Sequence, residues 1–181
     1  YGQMFKLNPE VSDIADDYAY NYKGIALLVL GAVEQGGSGC ACPENVLIKA
    51  LVSDLVLYKN ETLVMDMEAG VEHLGRSTAK GVDYMIIVVE PGQRSIDSAK
   101  RVIKMAEQIN LKNLCIVGNK IVDEQDADFI TKAFPDKEII GLLPYSQSIL
   151  QADRTGLSVL NNISNDLLLK FKDILTYLKS K

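Results

Sequence analysis

Five short runs rich in valine, isoleucine and leucine recur along this chain, and they constrain its fold more than any other feature. They show little alternation between apolar and polar residues, which is typical of strands buried on both faces of a sheet. The runs occupy residues 23–31, 61–67, 83–90, 113–118 and 137–143. We therefore expect strands that lie in the interior of a sheet.

Segments with helical periodicity lie between and after these runs. They occupy residues 43–59, 95–110, 124–134 and 160–178. Strands that alternate with helices predict an α/β fold with a mostly parallel sheet and helices on both faces. In such sheets, ligands bind at the carboxyl ends of the strands. We expect one domain over residues 1–181, in which residues 1–22 form an irregular lead-in.

Composition and charge exclude several classes of protein. The chain has 181 residues, of which 48% are apolar and 24% charged, as is usual for a globular domain with its own core. Its net charge of −5 argues against a nucleic-acid partner, because phosphate binding needs a basic face. No apolar stretch approaches the roughly 20 residues that span a bilayer, so we expect no membrane partner either. Three cysteines do not make a disulfide framework, which favours a reducing, cytoplasmic setting.

The glycine-rich stretch after the first apolar run resembles a phosphate-binding loop but departs from it. Residues 31–38 read GAVEQGGS, and Gly37 stands where the loop would carry its lysine. That lysine reaches the β- and γ-phosphates, so its loss removes most of the meaning of the motif. Pro43 is a natural first helical residue, several positions too late for a phosphate loop. We expect no phosphate loop here, and no other stretch of the chain matches the motif.

Two cysteines, Cys40 and Cys42, follow these glycines as a C-x-C pair. A redox pair normally has a two-residue spacer, so the spacing suits metal ligation better. A structural zinc site needs four ligands, however, and one pair supplies two. From spacing alone, metal ligands and inert loop cysteines remain open alternatives. Cys115 lies in an apolar run and is expected to be a small core residue.

Polar residues that follow three of the predicted strands form a candidate nucleotide site. Asp66 and Gly70 fit D-x-x-x-G, in which the carboxylate holds Mg²⁺ and the glycine amide meets a γ-phosphate. Asn119 and Lys120 could present polar groups to a purine, with Pro144 against the base. The alternative for each is an ordinary loop, because asparagine and acidic residues are common after strands. Their shared position at successive strand ends strengthens the case for a nucleotide site, and from the residues alone both alternatives remain open.

Four stretches together resemble a known family. GGSGCACPEN, DMEAGVEHLGR, VVEPGQRSIDSAKR and VGNKI are similar to the carbon monoxide dehydrogenase maturation ATPases, the CooC-like nickel-insertion factors. These resemble the MinD, ParA and nitrogenase iron protein class of P-loop ATPases. The resemblance runs over nearly the whole chain, and its most specific parts are the C-x-C pair and the D-M-E-A-G string.

The resemblance implies a homodimeric ATPase that uses ATP and Mg²⁺ and delivers nickel to carbon monoxide dehydrogenase. It implies that a metal ion, Ni²⁺ or Zn²⁺, is bound at the dimer interface. By this resemblance, Cys40 and Cys42 bind the metal ion, Asp66 is the acidic residue on the magnesium side, and Gly70 is the switch glycine. Asn119 and Lys120 lie near adenine, and Pro144 flanks it.

One departure from the family affects activity. The family opens with a strand and a lysine-bearing phosphate loop, and no such loop is present in this sequence. We therefore expect the chain to be the C-terminal two-thirds of such a protein, with ATP hydrolysis in the intact protein and little in this chain. Two alternatives are a non-hydrolysing partner similar to MinD and ParA, and an iron–sulfur electron carrier similar to the nitrogenase iron protein.

Overall fold

A computed structural model describes residues 19–29, 61–67 and 82–180. The chain divides into two units, residues 1–78 and 79–181, and each is described by itself. The predicted helix at residues 43–59 lies outside the described residues. In the described part of the chain, no helix is both long and apolar enough to cross a membrane.

The first unit contains a short antiparallel hairpin. Strand β1, Tyr20–Tyr22, pairs with strand β2, Ile25–Leu27. Lys23 and Gly24 between them have φ angles of 49° and 82°. Two consecutive positive φ angles are the mark of a tight hairpin turn, which joins only antiparallel strands. The prediction of an irregular lead-in was therefore wrong at residues 20–22, which form a strand. The apolar run at 23–31 contributes a short antiparallel strand instead of a buried parallel one.

The apolar run at residues 61–67 forms no strand in the structure, so this part of the prediction was wrong. Leu63 and Val64 in this run are exposed. A strand exists only where a neighbour completes its backbone hydrogen bonds. The residues are apolar enough for a strand, but no other described strand pairs with them.

The second unit is built on a three-stranded parallel sheet in the order β3–β4–β5. The strands are β3, Met85–Val89; β4, Leu114–Ile121; and β5, Glu138–Pro144. All three were predicted from their apolar runs. The parallel α/β fold class is thereby confirmed within this unit.

Helices connect the strands and follow the last one. They are α1, Gln93–Gln108; α2, Glu124–Ala133; α3, Gln147–Thr155; and α4, Asn165–Ser180. Sequence analysis did not find α3, and it began the last helix at residue 160, where the structure has a 3-10 turn, Val159–Asn161.

Side-chain caps define where α2 begins. The Asp123 carboxylate accepts a hydrogen bond from the Asp126 backbone at 3.0 Å, and the Asp126 carboxylate accepts one from the Val122 backbone at 2.9 Å. Such caps satisfy the backbone donors that a helix leaves without partners in its first turn. They end β4 and turn the chain into α2 directly beyond Ile121.

The core lies on both faces of the sheet. On one face, α1 and α2 cover β3 and β4 in a cluster that includes Ile96, Ile116 and Ile130. On the other face, α4 covers β4 and β5 through Leu167 and Ile174. Helices on both faces were expected, and the structure confirms them.

Candidate functional site

Asn119 and Lys120, two of the predicted site residues, lie at the carboxyl end of β4. The pairing of β4 with β5 shifts between Gly118 and Ile121, so these two residues form an irregularity in the ladder. Lys120 has a φ of 59°, in the left-handed region that a residue with a side chain seldom adopts. Asn119 is half-buried and Lys120 is exposed.

The irregularity sets Asn119 and Lys120 apart from the regular sheet, because a bulged residue changes the direction of its side chain. Beyond it, Ile121 pairs with Pro144, the last residue of β5. The structure therefore places Asn119, Lys120 and Pro144 at the carboxyl ends of neighbouring strands, and their role in binding a nucleotide stays a prediction.

Glu90 belongs to the same edge, and sequence analysis missed it. It follows β3 directly, and its Oε1 lies 2.6 Å from Nζ of Lys120. The two side chains are 50% and 55% exposed, so the pair is in contact with solvent. The rule that found the other candidates, a polar residue directly after a buried strand, would also have found Glu90.

This contact determines the electrostatics of Lys120. A hydrogen bond from Lys120 to the Glu90 carboxylate and the negative charge of that carboxylate both raise the pKa of the lysine above its ordinary value. Tyr145 adds a smaller effect in the same direction. The lysine is therefore a cation at any physiological pH, and its charge is balanced by Glu90.

Tyr145, which follows β5, was also missed. Its backbone donates a hydrogen bond to the Ile121 carbonyl at 2.9 Å, which ties it to the end of β4. Its hydroxyl donates to Oε1 of Gln147 in the first turn of α3 at 3.0 Å. The ring is partly exposed beside Pro144, and a partly exposed aromatic ring offers a flat apolar surface to a ligand.

Taken together, the strand ends offer an amide, a lysine whose charge is balanced by Glu90, a proline and a tyrosine. An asparagine amide both donates and accepts hydrogen bonds, so it can read a polar ring edge. Proline and tyrosine supply apolar contact for a flat ring. This set is suited to a heterocyclic base, and it carries little free positive charge for phosphate groups.

Of the remaining predicted residues, one lies in the first unit and three lie outside the described residues. Asp66 lies in the other unit, where it is exposed and in no regular structure. Gly70, Cys40 and Cys42 lie outside the described residues. Within residues 19–29, 61–67 and 82–180, no three histidine, cysteine, aspartate or glutamate side chains come together as a metal site.

Cys115 is buried in β4, as predicted. It lines a cleft of about 110 Å³ at the opposite edge of the sheet, where the strands begin, together with Tyr84, Lys112, Glu138 and Tyr177. The Tyr84 and Tyr177 rings meet edge to face beside it, with their centroids 6.5 Å apart. This cleft is separate from the candidate site, because the two lie at opposite ends of the strands.

Comparison with known proteins supports the resemblance found in the sequence. The chain is 40% identical over 159 residues to the uncharacterized ATP-binding protein MJ0823 of Methanocaldococcus jannaschii, covering 86% of this chain and 62% of that protein. It is 38% identical over 157 residues to the carbon monoxide dehydrogenase accessory protein CooC of Rhodospirillum rubrum, covering 87% and 60%. The chain is similar to CooC over most of its own length.

A third relative, the uncharacterized ATP-binding protein MJ0084 of the same Methanocaldococcus species, is 29% identical over 154 residues, which cover 85% of this chain and 61% of that protein. The chain thus spans about three-fifths of the length of the relatives that it matches. No family model matches it.

Among solved structures, the cell-division protein MinD of Aquifex aeolicus is similar, with a TM-score of 0.49 and 21% identity over 57% of this chain and 47% of that one.

Proposed function

We propose that this chain is part of a nucleotide-binding accessory protein that acts, like CooC, in the assembly of carbon monoxide dehydrogenase. The observation that carries the proposal is the meeting of Asn119, Lys120 and Pro144 at the carboxyl edge of the sheet. Ligands of parallel sheets bind at this edge. The 38% identity to CooC and the names of the ATP-binding relatives supply the chemical class of the ligand.

In this proposal the adenine of ATP binds at the strand ends, with Asn119 at its polar edge and Pro144 against its face. Asp66 is exposed, so its carboxylate is accessible to Mg²⁺, and Gly70 follows it at the spacing of a switch glycine. Magnesium would supply charge neutralisation for the phosphates. Hydrolysis belongs to the intact protein, where a lysine-bearing loop would hold the γ-phosphate.

Nucleotide binding is tested by calorimetry with ATP and Mg²⁺. Asn119→Ala removes the amide that reads the base, and we expect it to weaken binding by about tenfold, since an unpaired polar group is left behind on the ligand. Asn161→Ala, which removes an exposed asparagine from the 3-10 turn, is the matched control. Equal affinities for the two variants would contradict the base site.

The metal site is proposed at Cys40 and Cys42, shared between two chains. One chain offers two neighbouring thiolates, and a two-fold dimer doubles them to the four that zinc prefers, or to a similar set for nickel. The metal would thus link a homodimer, and a cytoplasmic setting would keep the thiols reduced. Carbon monoxide dehydrogenase is the proposed client, with neither nucleic acid nor a membrane as a partner.

Sedimentation with Zn²⁺ or Ni²⁺ titrated in tests the shared site. We expect dimers that bind about half a metal ion per chain, by the arithmetic of two pairs per four-ligand site. The double variant Cys40→Ser, Cys42→Ser should lose both dimerisation and metal, whereas Cys115→Ala should keep them. Metal-independent dimers would favour a partner similar to MinD and ParA, and a brown, iron-containing dimer would favour an electron carrier.

A further inference from the structure

We propose that Glu90 is a positioning residue of the base site, which holds Lys120 in place so that the end of β4 is ordered before a ligand arrives. This rests on the proposed nucleotide site. It adds a residue that directly follows β3, and no predicted site residue lies at the end of that strand. The inference comes from the contact between Glu90 and Lys120 and from the backbone of the segment that carries the lysine.

Lys120 needs an external restraint. Its left-handed backbone is unfavourable for a residue with a Cβ, and such a conformation persists only where the surroundings fix it. Its long side chain is exposed, and a free lysine side chain samples many rotamers. The Glu90 carboxylate at 2.6 Å selects one of them.

Glu90 can impose this restraint because its own backbone is held. Its N–H donates to the Ser95 hydroxyl, which belongs to the first turn of α1, at 3.0 Å. Its carbonyl accepts a hydrogen bond from the Gly92 N–H at 2.8 Å, which closes a tight turn. The loop after β3 is thus fixed to α1, and α1 is packed against the sheet through Ile96.

The other side of the segment is fixed through β5. The Tyr145 N–H binds the Ile121 carbonyl, one residue beyond Lys120. The strand end that carries Asn119 and Lys120 is therefore held by an ion pair to the residue after β3 and by a backbone hydrogen bond from the residue after β5. Only the ion pair can be removed by a conservative side-chain change.

The ion pair also limits what Lys120 can do for a ligand. Because Glu90 balances its charge, the lysine contributes an ordered hydrocarbon stem beside the base and adds little net attraction for phosphate. In the proposed site Lys120 stands beside the base and apart from the phosphates, so loss of Glu90 should weaken binding of the nucleoside part of a ligand and leave binding of a phosphate chain unchanged.

The experiment is calorimetry of the whole chain with adenosine, ATP and inorganic tripolyphosphate. In Glu90→Gln, we expect the dissociation constants for adenosine and ATP to rise by the same factor, about fivefold, the cost of ordering one flexible side chain on binding. Tripolyphosphate affinity should not change. Glu90→Asp, which keeps the charge, should recover part of the loss.

The matched control is Glu107→Gln, which removes another 2.6 Å glutamate–lysine pair, to Lys137 just before β5 and so away from the carboxyl ends of the strands. A second measurement is the same Glu90→Gln change in a Lys120→Met background. If Glu90 acts through the lysine, Glu90→Gln should not weaken adenosine binding any further in the Lys120→Met variant.

Several outcomes would overturn the inference. If wild-type protein binds adenosine and Glu90→Gln binds it equally well, the positioning role is refuted while the nucleotide site stands. If Glu90→Gln weakens adenosine binding equally with and without the Lys120 side chain, Glu90 acts independently of the lysine. If Glu90→Gln binds tripolyphosphate more tightly, Lys120 is a phosphate ligand whose charge Glu90 masks. If wild-type protein binds neither adenosine nor ATP, the nucleotide site itself fails and the positioning role fails with it.

Discussion

At the scale of single residues, Lys120 combines a left-handed backbone with a charge-balancing contact, and its titration reports that contact. We expect its pKa to lie above the ordinary value of 10.5, because the Glu90 carboxylate stabilises the charged form. A pKa raised in the folded state means that the pair stabilises the protein below pH 10.5 and stops doing so as pH rises through the raised value. NMR titration of the lysine side chain measures it. Glu90→Gln should lower the pKa of Lys120, and Glu107→Gln should leave it alone.

Gly141 in β5 determines how closely α4 approaches the sheet. A Cβ at this position would lie 2.6 Å from Cδ1 and 2.7 Å from Cγ1 of Ile174, which is buried. We expect Gly141→Ala to lower the free energy of unfolding by about 1–3 kcal/mol, as measured by urea denaturation.

The same position permits a double-mutant cycle. Ile174→Val removes the Cδ1 methyl that meets the new Cβ, so the two substitutions together should cost less than the sum of their separate effects. Strict additivity would show that the new Cβ does not press against the Cδ1 methyl of Ile174.

Single residues also show where sequence reasoning stops. The position of Asn119, Lys120 and Pro144 could be predicted because they follow buried strands, and the carboxyl ends of parallel strands share one edge; their binding role stays a prediction. The contact of Glu90 with Lys120 could not, because it depends on a shift in strand pairing that no local pattern encodes. The roles of Cys40 and Cys42 as metal ligands and of Gly70 as a switch glycine stay predictions.

At the scale of elements, the start of α2 depends on a carboxylate cap. We expect Asp123→Ala to lower the free energy of unfolding by about 1 kcal/mol, because the Asp126 N–H loses its acceptor. Asp123→Asn, which keeps a capping oxygen, should cost much less. Urea denaturation of the two variants compares them, and equal losses would contradict a capping role.

Elements with long apolar runs or strong periodicity were predictable, and the others were not. Strands β3, β4 and β5 and helices α1 and α2 fall into the first class. Helix α3, Gln147–Thr155, is short and polar, and it is defined by the Ser146 cap at its start and the left-handed Gly156 at its end. Residues 61–67 show the opposite error, because their apolar run predicted a strand that the structure does not have. An apolar run does not specify a pairing partner.

At the scale of the whole molecule, the two units differ in how their strands are covered. In β4, residues 114–118 are all buried, whereas every residue of the β1–β2 hairpin is exposed. We expect amide hydrogens of β4 to exchange with solvent more slowly than those of the hairpin by about a thousandfold or more, because local opening energies range from near zero up to the global value. Hydrogen exchange followed by NMR measures this, and equal protection would mean that the hairpin is stabilised by more than its own pairing.

The packing of α4 also bears on how the protein is made. A ribosome releases the amino-terminal part of the chain first, and the stretch from β3 to Phe134 contains every buried residue of the cluster on the first face of the sheet. Strands that are neighbours in sequence are also neighbours in space, so this face can form early. The second face needs Leu167 and Ile174, which are synthesised only after all three strands. Until then, Val117 and Leu143 have no cover from α4, and in that interval we expect the nascent chain to depend most on chaperones.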